Sequence, residues 1–175
     1  MKTNIALIGF MGTGKTTVGR ALAKRLNKEF VELDALIEQR AGKSIPDIFQ
    51  QDGEVAFREL EIEAAKETAH RKNLVIACGG GLVLNKINID RLKQSAIIVC
   101  LTASPQAILK RTSRDVGQRP LLDVSDRAAE IQELLRFRKP FYERAADIEI
   151  DTSALDISAV VGQIIKRVKA NESPD

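Results

Sequence analysis

The chain has 175 residues, 44% of them hydrophobic, with 27 Lys and Arg against 24 Asp and Glu for a net charge of +3. That is one domain's worth of sequence, able to bury a core without metal or disulfide staples, and its slight basicity, six Phe, one Tyr and no Trp do not describe a nucleic-acid binder. A single histidine, His70 in a polar stretch, excludes histidine triads and zinc sites, and Cys78 and Cys100 lack metal or redox spacing, so both read as buried, reduced thiols.

The apolar run Ile5–Ile8 predicts a first strand, and Val18, Leu22 and Leu26 mark the apolar face of a helix beyond it. Between them stands Gly9-Phe10-Met11-Gly12-Thr13-Gly14-Lys15-Thr16, which is G-x-x-x-x-G-K-[ST]. In a strand–loop–helix context this motif predicts a nucleoside triphosphate site built from Gly12, Thr13, Gly14, Lys15, Thr16 and Thr17. Lys15 supplies charge at the β- and γ-phosphates, backbone N–H groups and the helix N-terminus cradle them, and the Thr16 hydroxyl is placed for Mg²⁺. Four apolar residues before the first glycine are too few for a secretory signal, and no later run approaches a membrane span, so the expectation is a cytoplasmic protein without a membrane partner.

Phe30–Leu33 predicts the second strand, and period-two spacing would point Glu32 and Asp34 the same way beyond the carboxyl edge of the sheet. Neither D-x-x-G nor N-K-x-D occurs, which argues against a guanine switch. The third apolar run, Leu74–Cys78, leads into Gly79-Gly80-Gly81 rather than into a metal-supporting acid, so that acid must come from the Glu32/Asp34 edge. The three glycines suit backbone amides that approach a small polar acceptor closely. A helix from about Glu54 holds Arg58 and Glu61 at i, i+3, where the acid can orient the guanidinium to grip a carboxylate; a surface ion pair has the same spacing.

Ala96–Leu101 and Ile148–Ile150 complete five predicted strands alternating with helices, which describes an α/β fold with a parallel sheet between two helical layers. Ser104-Pro105 reads as an N-cap and first helical residue, and Ser125 or Asp156 can cap the helices after them. Residues 112–123 lack periodicity, contain Gly117 and Pro120, and carry arginines, so they read as a mobile lid or, more blandly, a solvated connector. The last helix, Ile157 to about Lys169, presents Ile157, Val160, Val161, Ile164, Ile165 and Val168 on one face, and 171–175 read as a frayed tail after a single domain spanning 1–170.

Over essentially its whole length the chain resembles the shikimate kinases. The shared features are the phosphate loop, Asp34, the run Gly53–Glu61, Gly79–Gly81, Arg119-Pro120-Leu121-Leu122 and Arg138-Lys139-Pro140-Phe141-Tyr142. The resemblance implies a P-loop fold like that of nucleoside-monophosphate kinases, usually monomeric, that uses MgATP to phosphorylate the 3-hydroxyl of shikimate on the route to chorismate and the aromatic amino acids. It implies that Asp34, Arg58, Gly79, Gly80, Gly81 and Arg138 hold shikimate, within a substrate segment of about 34–61, with Glu61 orienting Arg58. Lys15, Asp34 and Arg119 would be catalytic, Asp34 as base and Arg119 from the lid, while Arg111 and Ser153 would flank adenine. Where the family usually has Asp-x-Asp this chain has Glu32-Leu33-Asp34, leaving Glu32 to support Mg²⁺ through a water. The alternatives are another small-molecule kinase of gluconate or nucleoside-monophosphate type, and a non-catalytic binder of ATP or a metabolite.

Overall fold

The structure is a computed structural model and describes residues 2–114 and 119–172. Five parallel strands, β1 (Asn4–Ile8), β2 (Glu29–Glu32), β3 (Leu74–Ala77), β4 (Ala96–Thr102) and β5 (Ile148–Asp151), lie in the order β2-β3-β1-β4-β5. β1 is central, with Ile5 beside both Val75 and Ile97. β1, β3 and nearly all of β4 are buried, as their continuous apolar sequences require.

Successive residues of β1 feed two cores. Ala6 and Ile8 join Ile76, Ile98 and residues from α2 (Leu33–Ala41), α3 (Ile45–Gln51), α4 (Gly53–His70), α5 (Lys86–Ser95), α6 (Pro105–Thr112) and α7 (Arg127–Ala145). Ile5 and Leu7 join Val75, Ile97 and Val99 under α1 (Lys15–Leu26) and α8 (Ile157–Glu172). Each fully buried Leu or Ile contributes roughly 1.5–3 kcal/mol, so the apolar layers on both faces fix the sheet. The chain runs from β1 to β2 and β3 on one side and then to β4 on the other, and a crevice opens at the carboxyl ends of the strands where that reversal occurs.

Several local expectations are corrected. β2 stops at Glu32, and Asp34 lies in the first turn of α2, so the two acids are not strand neighbours with a common face. Leu33 and Ile37 are both buried, and that four-residue repeat winds the segment into a helix, with Asp34 at its positive end. The N-cap of α7 is Asp126 rather than Ser125: its carboxylate accepts a 3.1 Å bond from Ala129 N. Ser104 and Asp156 cap as expected, accepting from Ala107 N at 3.2 Å and Ala159 N at 2.7 Å.

Asn171 and Glu172 continue α8 instead of fraying, while 173–175 lie outside the described residues. Ile157 is exposed rather than on the core face of that helix. Thr112 belongs to α6, a 3-10 turn spans Pro120–Leu122, and 115–118, with Gly117, lie outside the described residues. Among the described residues no helix is long and apolar enough to cross a membrane. Cys78 and Cys100 are free and buried, and burial pushes both thiols up, Cys100 to about 12.

Candidate active site

The phosphate loop follows β1, with Gly12 (φ 78°) and Gly14 (φ 95°) in the left-handed region that glycine enters without strain. Gly14 is also the N-cap of α1, and neither a capping side chain nor an acid occupies the first turn, which leaves the N–H groups there for an anion. Lys15 folds back so that Nζ donates to the carbonyls of Gly9 (2.7 Å) and Phe10 (2.9 Å). Burial lowers its pKa to about 8, against the pull of the Asp34 carboxylate. Thr16 Oγ1 donates to Glu32 Oε1 at 2.8 Å, so the first turn of α1 is tied to the end of β2.

This loop forms one wall of a cleft of about 820 Å³ that also includes Glu32, Asp34, Gly79, Gly80, Arg111 and Arg119. A smaller recess of about 110 Å³ continues from it past Phe49, Phe57, Arg58, Glu61 and Arg138. Met11, Asp34, Gly79, Gly80 and Arg119 line both, so the two spaces meet at the end of the phosphate loop.

In the recess, Arg58 pairs with Glu61 at 3.1 Å and with Glu54 at 3.0 Å. Glu61 is only 1% exposed, which removes the surface-ion-pair reading. Burial pushes its carboxyl up to about 7 although Arg58 opposes the rise. Arg138, on α7, is 2% exposed, and its Nε and Nη1 have no hydrogen-bond partner among the described residues. Asp34 Oδ1 and Glu61 Oε2 are likewise buried without a partner, and burial raises the Asp34 pKa against the pull of Lys15. Native proteins seldom leave several buried polar atoms unsatisfied in one place, and such a cluster suits a polar ligand.

The glycine triplet has a reason beyond the expected approach of backbone amides to a ligand. A Cβ on Gly79 would lie 2.9 Å from both Asp34 Oδ1 and Glu61 Oε2, and one on Gly81 would collide with the Arg58 guanidinium. The triplet therefore makes room for the charged side chains. Tyr142 Oη donates to the Gly80 carbonyl and holds the triplet against α7, one turn beyond Arg138.

Arg111 donates to Gly12 O at 3.1 Å and to Thr152 O at 2.9 Å, joining α6 to the phosphate loop and to the residue after β5. Ser153 does not line the cleft; its hydroxyl donates to Asp151 Oδ1 at 2.6 Å and accepts from Ser104 N at 2.9 Å. Thr152 lines the cleft instead, with Oγ1 3.1 Å from Thr13 O. Sequence reasoning did not single out Met11, Tyr142 or the Phe49–Phe57 pair, whose ring centroids are 4.8 Å apart. The signal for Tyr142 was its position four residues after Arg138 on one helix.

The shikimate kinase family model matches residues 11–169. The chain belongs to the shikimate kinase family. The shikimate kinase of Caldanaerobacter subterraneus subsp. tengcongensis is 47% identical over 163 residues, 93% of this chain and 94% of that protein. The shikimate kinase of Bordetella pertussis is 41% identical over 168 residues, 96% of this chain and 79% of that protein. The structure of shikimate kinase from Acinetobacter baumannii in complex with shikimate superposes with a TM-score of 0.95 at 39% identity, covering 99% of this chain and 97% of that one. The five-stranded α/β architecture is that of the shikimate kinases, which are phosphotransferases, as the resemblance implied.

Proposed function

We propose that this protein transfers the γ-phosphoryl group of ATP to the 3-hydroxyl of shikimate, giving shikimate 3-phosphate and ADP. The observation that carries this reading is the recess beside the phosphate loop, lined by Arg58, Arg138 and Asp34, whose carboxylate also feels the charge of Lys15. Shikimate carries one carboxylate and three hydroxyls on a small ring. Its carboxylate would take the free Nε and Nη1 of Arg138 together with Arg58, because a guanidinium fork matches a carboxylate in geometry and charge. The ring would rest among Gly79, Gly80 and Gly81, and Asp34 Oδ1 would accept the hydroxyl that reacts.

In this reading Asp34 takes the hydroxyl proton as the oxygen attacks the γ-phosphorus and the bond to ADP breaks. A carboxylate whose pKa is raised by burial is the better proton acceptor. Lys15 and Arg119 supply positive charge where the transferring group spreads its negative charge over three oxygens. Gly12, Thr13, Gly14, Thr16 and Thr17 hold the phosphates, Arg111 and the loop of Thr152 and Ser153 flank the adenine side, and Glu61 orients Arg58. The stretch beyond Thr112, up to residue 123 and with 115–118 outside the described residues, would serve as the cover that keeps water from the γ-phosphate.

The Thr16 hydroxyl and the Glu32 carboxylate suit Mg²⁺, which favours oxygen ligands and is ordinarily held by one or two protein groups, phosphates and water. When bound, Mg²⁺ neutralises phosphate charge. In this proposal the protein works as a monomer, as the family resemblance implies, in the cytoplasm.

The test is release of ADP in a coupled assay with shikimate and with analogues that lack the carboxylate or the 3-hydroxyl. Turnover should require shikimate, fall strongly without the carboxylate and vanish without the 3-hydroxyl. A preference for gluconate or a nucleoside monophosphate, or ATP binding with no shikimate-dependent turnover, overturns the reading.

A further inference from the structure

Arg127 is the first residue of α7, where the positive end of the helix dipole disfavours a cation. Its guanidinium reaches instead to the far end of α6, and Nη2 donates to the Thr112 carbonyl at 2.6 Å. That carbonyl is the last of α6, so the arginine donates to the C-terminal end of one helix from the start of another. The Arg127 Nε is buried and has no hydrogen-bond partner among the described residues. Such desolvation is unfavourable for a side chain that merely solubilises a surface, and here it accompanies a specific contact.

Thr112 is fully buried, and a Cβ on Gly12 would lie 2.9 Å from its Cγ2, so the end of α6 packs directly on the phosphate loop. Arg111, the residue before it, donates to Gly12 O. At the other end of the connection, α7 carries Arg138 and Tyr142, the second of which holds Gly80. Arg127 and Arg138 are separated by about 16 Å of helix at the usual rise per residue.

We infer that Arg127 is a positioning residue that couples the acceptor recess to the phosphate loop, through Thr112 and Gly12 on one side and α7 with Arg138 on the other. A ligand that orders α7 at Arg138 also orders the end of α6 against Gly12, and a nucleotide arriving at the loop then loses less freedom on binding. Linkage makes the effect reciprocal: nucleotide tightens the acceptor by the same factor. The inference rests on the proposed shikimate-binding role of the recess.

The experiment measures shikimate affinity by calorimetry, without nucleotide and with saturating MgADP, for the unaltered protein, Arg127→Lys and Arg127→Met, with thermal midpoints and turnover alongside. In the unaltered protein MgADP should tighten shikimate about tenfold, and in Arg127→Met that factor should fall to nearly one while the affinity for each ligand alone stays within about twofold. Arg127→Lys should keep part of the factor, since an ammonium can still reach one carbonyl. Three results overturn the inference: no coupling in the unaltered protein, full coupling in Arg127→Met, or a loss of both single-ligand affinities together with a lower thermal midpoint. Normal turnover with unaltered coupling in Arg127→Met sinks only this inference, whereas absent shikimate turnover in the unaltered protein sinks the functional reading; failure to bind shikimate at all overturns both.

Discussion

Thr16 Oγ1 and Glu32 Oε1 are 2.8 Å apart, so the hydroxyl of the phosphate loop and the acid at the end of β2 form one pair of oxygens on the cleft wall. Arg20 stands 3.7 Å from the other oxygen of Glu32 and steadies it. The Glu32 side chain thus reaches the loop. If this pair supports Mg²⁺ through water, Glu32→Ala should raise the Mg²⁺ concentration needed for half-maximal turnover by about tenfold, the usual range for outer partners of a metal. Glu32→Asp should stay close to the parent, and shikimate KM should hardly move in either variant. Titrating Mg²⁺ at saturating ATP and shikimate is the check, and identical curves for all three proteins would separate Glu32 from the metal.

Arg58 gives a prediction that distinguishes recognition from catalysis. It is held by Glu61 and Glu54, and Arg138 lines the same recess with Nε and Nη1 unpartnered among the described residues. A hydrogen bond to a charged group contributes about 1.5–3 kcal/mol, so Arg58→Ala should raise shikimate KM on the order of 10- to 100-fold and leave ATP KM nearly unchanged. An analogue with a carboxamide in place of the carboxylate should lose most of this sensitivity to the substitution. Equal losses for ATP and shikimate would contradict a carboxylate grip.

What could be read from the letters follows the range of the physics involved. The strands were legible because buried parallel strands need unbroken apolar runs, and the phosphate loop was legible because its glycines and lysine are contiguous. Asp34 was placed on a strand because Leu33-Asp34-Ala35-Leu36-Ile37 begins its helical repeat directly after β2, without a turn residue to mark the change. The triplet's glycines were legible as a close approach, but not that they make room for Asp34, Glu61 and Arg58, which come from other elements. The spacing of Arg138 and Tyr142 on one helix could mark Tyr142, but its partner Gly80 lies 62 residues away, beyond the reach of any local pattern.

Burial of Glu61 makes a prediction about stability. Its carboxyl is pushed from 4.5 to about 7 in the folded, ligand-free protein, so between those values the folded state holds more of the proton than the unfolded chain does. The contribution is fully present below pH 4.5 and is lost as pH rises through 7. Glu61→Gln cannot ionise, so relative to the parent it should gain stability between pH 5 and pH 8 by roughly 1–3 kcal/mol. Urea unfolding of both proteins across that range measures the difference. A difference that does not change with pH would mean that Glu61 stays ionised throughout.

Arg119 lines both the large cleft and the recess, and its charge acts on Lys15 and on Asp34. It therefore stands where the cleft and the recess meet. A cation in that position gains most when negative charge develops on the transferring group, and less when shikimate alone is bound. Arg119→Ala should lower kcat by about 10²–10³, the range for losing one preorganised electrostatic contact, and change shikimate affinity only slightly. Single-turnover rates with calorimetric shikimate binding separate the two effects. Unchanged kcat would remove Arg119 from the chemistry, and a matching loss of shikimate affinity would make it a binding group.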